Sequence, residues 1–231
     1  MDINPSCGNC GSGYGLVRAL ILAVVFLAGC AGLPQGQSIP SKITEWATTN
    51  VWQVHTELSA GSGFWINNRN MLTNCHVVRG QTTVTVENNS RSMVLPMTVR
   101  ACNSDEDLAL LVYTPDGPVP FEPMKTEIEQ AKRGQVLYGP GYPLGGSLVI
   151  TTGHYQGKDT RYSHRTVVTT TTIFGDSGSP AVFINRWGNV VVAGVRSGIR
   201  GMRSGFSSYF VTHLVTIRDA HTVKKFLRDT A

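Results

Sequence analysis

Charge is scarce in this chain of 231 residues: Asp, Glu, Lys and Arg make up 15% of it. That is too little for a disordered or coiled-coil protein. No basic cluster is long enough to form a nucleic-acid surface, so no nucleic-acid partner is expected. The net charge of +5 and pI near 9.1 read instead as a solubility feature. No apolar run reaches the roughly 20 residues that a spanning helix needs. No self-similarity appears at a period of about 20–50 residues, which excludes a solenoid or propeller. Nor does any spacing of ligands mark a metal or an organic cofactor. A lone Cys7-x-x-Cys10, with no second pair and no βαβ context, is a weak signal for metal binding or redox cycling.

What is plentiful is glycine, at 25 residues, among short runs of β-branched and aromatic residues. "VWQVHTEL", "GSGFWI", "TTVTVEN", "LALLVYT", "QVLYGPGY", "SLVITTG", "TVVTTTTIF", "SPAVFI" and "VVVAGVRS" are separated by turn residues, as in a sandwich or barrel. Only the tail "TIRDAHTVKKFLRD" (216–229) has helical spacing, with Val223, Phe226 and Leu227 on one face.

The first thirty residues stand apart. "LVRALILAVVFLAGCAG" (16–32) has one arginine, an apolar stretch from Ala19 to Ala28, and small residues around Cys30. This is the length of a signal-peptide core, and Leu27-Ala28-Gly29-Cys30 resembles a bacterial lipobox. The resemblance implies export, with a lipid on Cys30 tethering the chain to a membrane; an ordinary signal peptide or a short anchor is the alternative. "MDINPSCGNCGSGYG" (1–15) lacks the positive charge with which a signal begins. Either synthesis starts near Leu16 or the segment is discarded with the signal. Residues 31–45 are polar and rich in Gly and Pro at their start, and read as a linker. The domain occupies 46–231.

"TTTTIFGDSGSPAVF" (169–183) breaks two apolar runs with a serine held between glycines. One reading is a tight turn. The other is a nucleophile on a turn whose N–H groups bind an oxyanion. A serine nucleophile needs a histidine base and a carboxylate to orient that base. His76 lies in "MLTNCHVVRG" at the end of an apolar run. His55, His154, His164, His213 and His221 lie among polar or charged neighbours. In "NSDEDLALLVY" only Asp107 abuts the apolar run; Asp105 and Glu106 read as solvated.

The order His76, Asp107, Ser177, set in "LTNCHVV", "DLALL" and "GDSGSP", resembles chymotrypsin-fold (trypsin-like) serine proteases. Exported bacterial glutamyl endopeptidases and high-temperature-requirement proteases are the nearest in pattern. The resemblance covers about residues 50 to 228. It implies an all-β fold of two six-stranded antiparallel barrels with a C-terminal helix and an active site in the cleft between them. His76, Asp107 and Ser177 would form the triad and the amides of Gly175 and Ser177 the oxyanion hole, acting on protein or peptide substrates without a cofactor. A second class fits the same residues: a membrane-tethered binding protein on a protease fold that has lost turnover.

The resemblance also implies a specificity pocket lined by Thr171, Thr172 and Arg196. Thr171 stands where an acid would select Lys or Arg. Arg196 could pair with an acidic substrate side chain, or turn to solvent and leave a pocket for a small apolar one. No activation junction precedes residue 46, so Asp176 is not expected to receive a freed amine. No peptide-binding module follows the protease region, so assembly through one is not expected. Cys75 and Cys102 flank His76 and Asp107; in an oxidising compartment they are expected to bond, with two buried thiols as the alternative.

Overall fold

The computed structural model describes residues 38–115, 119–158, 166–170, 174–204 and 207–230, the side chains of 199–204 and 207–213 excepted. Cys7, Cys10, Cys30, Thr171 and Thr172 lie outside the described residues.

A helix, α1 (Ser41–Asn50), begins within the stretch 31–45 read as a linker and runs on past residue 46. Ile43, Trp46, Ala47 and Asn50 are buried, an i, i+3, i+4, i+7 stripe. Ile43, Thr44, Thr48 and Thr49 are β-branched and lower its intrinsic propensity. Packing of that stripe, rather than propensity, holds the helix, which is why composition hides it.

Six strands follow as a closed antiparallel barrel: β1 (Val51–His55), β2 (Ala60–Trp65), β3 (Asn70–Thr73), β4 (Thr83–Asn88), β5 (Met93–Asn103) and β6 (Leu108–Val112), in the order β1-β2-β3-β6-β5-β4. A short helix, α2 (Cys75–Val78), interrupts between β3 and β4. In β4 burial alternates residue by residue, as a barrel wall requires. The barrel interior is aromatic, with Trp52 stacked on Phe121 at 4.9 Å and Trp65 edge-on to Trp52 at 5.7 Å.

The second barrel comprises β8 (Val136–Gly141), β9 (Val149–Lys158), β10 (Thr166–Thr169), β11 (Pro180–Ile184), β12 (Val190–Ser204) and β13 (Ser207–Asp219). Pairing of β11 with β12 closes it, so the chain forms two six-stranded barrels. A two-residue strand, β7 (Glu127–Ile128), adds outside, parallel to β12. The tail helix, α3 (Ala220–Asp229), starts four residues later than its sequence pattern because β13 runs on to Asp219. The Asp219 side chain then caps it, accepting from the Thr222 amide at 3.0 Å.

One apolar cluster joins Trp46 of α1, Phe64 and Leu72 of the first barrel, Val182 and Val195 of the second, and Phe226 of α3. The barrels are therefore locked edge to edge by a shared core, and side chains at their seam are held in fixed register.

Candidate active site

His76 owes its exposure to α2. β3 ends at buried Thr73, buried Asn74 stands ahead of α2, and the single turn of α2 sends Cys75, Val77 and Val78 inward. That leaves the imidazole facing outward, with 39% of the side chain accessible. Asp107 sits just ahead of β6. His76 Nδ1 is 2.9 Å from both Asp107 carboxylate oxygens, and the His76 amide donates to Oδ1 at 3.0 Å. An acceptor-only carboxylate here makes Nδ1 the protonated nitrogen, leaving Nε2 with its lone pair outward. Asp107 has a left-handed backbone, φ 50°, a conformation that costs a non-glycine residue about 1–3 kcal/mol and clusters at functional sites. Its carbonyl accepts from Asn74 Nδ2 at 2.8 Å. A disulfide joins Cys75 to Cys102 across 27 positions, tying the residue before His76 to the strand that leads into the Asp107 loop.

The serine turn is built differently. Gly175 and Gly178 have φ of +98° and +85°, which side-chain-bearing residues rarely adopt. A Cβ on Gly178 would also lie 2.1 Å from the Ser62 carbonyl oxygen and 3.1 Å from the Asn74 nitrogen. The turn is thus seated against the end of β3 that leads into His76. Ser62, on β2, ties it down: its amide donates to the Ser177 carbonyl at 2.8 Å, and its hydroxyl donates to the Gly175 carbonyl at 2.8 Å and accepts from the Tyr142 amide at 3.0 Å. Among the described residues, no partner accepts from the Gly175 or Ser177 amide, and no hydrogen bond engages the Ser177 hydroxyl.

Beneath the turn lies an ion pair. Arg196 Nη2 is 3.1 Å from Asp176 Oδ2, with side chains 2% and 6% accessible. Arg196 Nη1 donates to the Gly139 carbonyl at 3.1 Å. Burial lowers the guanidinium pKa, and the adjacent Asp176 charge and hydrogen bond oppose that shift. Arg196, expected to line a substrate pocket, therefore has a carboxylate of its own chain as partner.

The barrels meet at Gly61, where an added Cβ would come within 2.8 Å of Val77 and 2.9 Å of the Ser177 carbonyl. Val77, the neighbour of His76, and the backbone of Ser177 both close on this one glycine. His76 and Asp107 are in contact, and Ser177 stands across the seam from them. Ser62 and Asn74 are the contributors that sequence reasoning missed. Ser62 had a signal in the glycines of "GSGFWI", whereas Asn74 had none. Among the described residues no group of His, Cys, Asp and Glu could hold a metal ion, and no helix is long and apolar enough to cross a membrane.

Residues 61–192 match the model of the trypsin-like peptidase domain. Two curated relatives come from Arabidopsis thaliana: the mitochondrial protease Do-like 4 is 31% identical over 165 residues, covering 66% of this chain and 30% of its own. The putative mitochondrial protease Do-like 3 is 30% identical over 157 residues, covering 62% and 26%. The chain thus spans less than a third of either relative. Among solved structures, the active form of the Rv3671c protease of M. tuberculosis superposes with TM-score 0.63 at 22% identity, over 87% of this chain and 95% of that one. A serine endoprotease from Yersinia pestis gives TM-score 0.64 at 16% identity, over 84% and 68%. These two show likeness of fold.

Proposed function

Since this chain belongs to the trypsin-like peptidase domain family, we propose that it is a serine endopeptidase working through His76, Asp107 and Ser177. Ser177 Oγ attacks the scissile carbonyl carbon while its proton passes to His76 Nε2. The tetrahedral oxyanion takes hydrogen bonds from the Gly175 and Ser177 amides. His76 then gives the proton to the leaving amine, and an acyl-enzyme remains. Water, deprotonated by His76, frees the acid and restores Ser177. The observation that carries this reading is the paired contact of His76 Nδ1 with both Asp107 oxygens at 2.9 Å. It fixes the tautomer in which Nε2 can act as base.

Two features shape the proposal. With Asp176 already paired to Arg196, the serine turn needs no newly cut N-terminus to order it. The same pairing withdraws the cation that a Glu or Asp side chain of a substrate would need, and so favours a small apolar residue before the cut. We place the enzyme outside the cytoplasm, tethered by lipid on Cys30. The lipobox-like Leu27–Cys30 and the Cys75–Cys102 bond, a linkage of oxidising compartments, support that placement.

The test is covalent labelling of the full chain by a fluorophosphonate probe, with Ser177→Ala and His76→Ala alongside. Labelling confined to the parent is expected. A folded parent that resists the probe sinks the triad reading and favours a silent binding protein. Cleavage of Glu-containing peptides in preference to Ala-containing ones would refute the small-residue pocket, and a Cys30→Ser chain that still incorporates labelled fatty acid would refute the tether.

A further inference from the structure

Arg218 lies near the end of β13 in the second barrel, whereas the base and its carboxylate belong to the first. It is 1% accessible, and a buried guanidinium is costly unless its donors are used. It uses them across the seam. Nε donates to the Glu106 carbonyl, and Nη2 reaches the Asp105 carbonyl at 3.5 Å. Both carbonyls belong to the loop that ends in Asp107.

The consequence follows from backbone geometry. The φ angle of Asp107 is a rotation between the peptide plane that contains the Glu106 carbonyl and the residue's own carbonyl. Arg218 fixes the first plane. Asn74 fixes the second, through its 2.8 Å bond to the Asp107 carbonyl. The value they impose, +50°, lies in the left-handed region, which a side-chain-bearing residue keeps only where its surroundings over-determine it. Rotation about φ would swing the carboxylate away from Nδ1, since the side chain moves with Cα. The His76–Asp107 contact is therefore clamped from both barrels, and the second barrel supplies half of the clamp.

We infer that Arg218 is a positioning residue for the triad: it holds the peptide ahead of Asp107 so that the left-handed aspartate keeps its carboxylate on His76. This deepens the proposed function and rests on that triad, but its first readout needs no turnover. The full chain is prepared as parent, Arg218→Met and Arg218→Lys. Each is examined for the low-field proton resonance of His76 Nδ1–H, for kcat and KM on a peptide substrate, and for Tm. Met is expected to lose that resonance and to lower kcat on the order of 10²-fold at unchanged KM, as a small misplacement of a catalytic group does. Lys, which reaches one carbonyl rather than two, is expected to fall between. A folded variant of either kind that keeps both the parent resonance and the parent kcat overturns the proposal, whatever happens to its Tm. Should Met fail to fold, the Lys variant decides by the same two readouts. A parent that shows the resonance yet turns nothing over refutes the protease reading alone, and the resonance of the variants still tests the clamp.

Discussion

The two halves of the site are held by opposite means. On the first barrel, His76 and Asp107 are braced by a covalent bond, Cys75–Cys102, and by side chains that grip backbone carbonyls. On the second, the serine turn rests on a buried charge pair, Asp176–Arg196, and on one hydroxyl from the neighbouring barrel. A half built on a covalent brace is exposed to reductant. A half built on a buried ion pair is exposed to any change that strands one charge, because an unpaired buried ion costs far more than a lost surface contact. The same fold therefore has two halves that different perturbations reach independently.

The largest effect removes the comparison altogether. Ser177→Ala and His76→Ala are each expected to cut kcat on the order of 10⁶-fold, and the double variant no further, since the residues act as a unit. Steady-state kinetics on all three chains checks this; additive losses would mean that the halves do not work as one site.

Next, Arg196→Met strikes the second half only. Removing one partner of a buried pair costs about 3–5 kcal/mol of stability. The stranded Asp176 should also pull the turn out of register, lowering kcat by an amount on the order of an oxyanion donor, about 10²–10³-fold. The low-field signal of the His76–Asp107 contact should survive. Pairing the change with Asp176→Asn should restore part of the stability by removing the charge. Calorimetry on the singles and the double gives the coupling, and a coupling near zero would dissolve the contrast drawn above.

Reduction, or Cys75→Ser with Cys102→Ser, strikes the first half only. For a loop of 27 positions the chain-entropy model gives roughly 3–4 kcal/mol, read as a fall in urea midpoint. The Asp107 loop keeps its hydrogen-bonded clamp, so activity of the folded fraction should persist. Activity lost before any unfolding would show that the disulfide, not the clamp, aims the carboxylate. Smaller still is Ser62→Ala, which strips the Gly175 carbonyl and the Tyr142 amide of one shared partner. A cost of about 1–3 kcal/mol is expected, visible in denaturant titration.

These contrasts explain what could be read from the sequence. The all-β class was legible because turn residues separate its β-branched and aromatic runs; the two-barrel architecture came only with the resemblance carried by the His76, Asp107 and Ser177 motifs. The candidate triad was legible because each member carries its local setting with it: a glycine-framed serine, a histidine ending an apolar run, an aspartate abutting one. The buried arginines were not. For Arg196 the sequence leaves a substrate carboxylate and solvent as the two options, because pattern cannot show that the guanidinium meets a carboxylate 20 positions earlier in its own chain. Arg218 acts on loop carbonyls 112 and 113 positions away, a relation only the closed second barrel creates. α1 escaped because tertiary burial overrode its threonines.

The mildest perturbation falls on the seam itself. Tyr142 directly follows β8, gives its amide to Ser62, and donates its hydroxyl to the Val51 carbonyl of β1 at 3.3 Å. Burial, and secondarily the charge of Glu87, push its phenol from 10.0 to about 12. The folded chain thus keeps a proton that the unfolded chain releases. The stability this contributes is complete below pH 10.0 and is lost as pH rises toward about 12. Tyr142→Phe forfeits one hydrogen bond, about 0.5–1.5 kcal/mol below that range, but has no phenol to ionise. Urea midpoints of parent and variant should therefore converge, and then cross, as pH climbs above 10.0. Midpoints that stay parallel would mean that the phenol is wetted and that the barrels part at this seam more readily than a shared core allows.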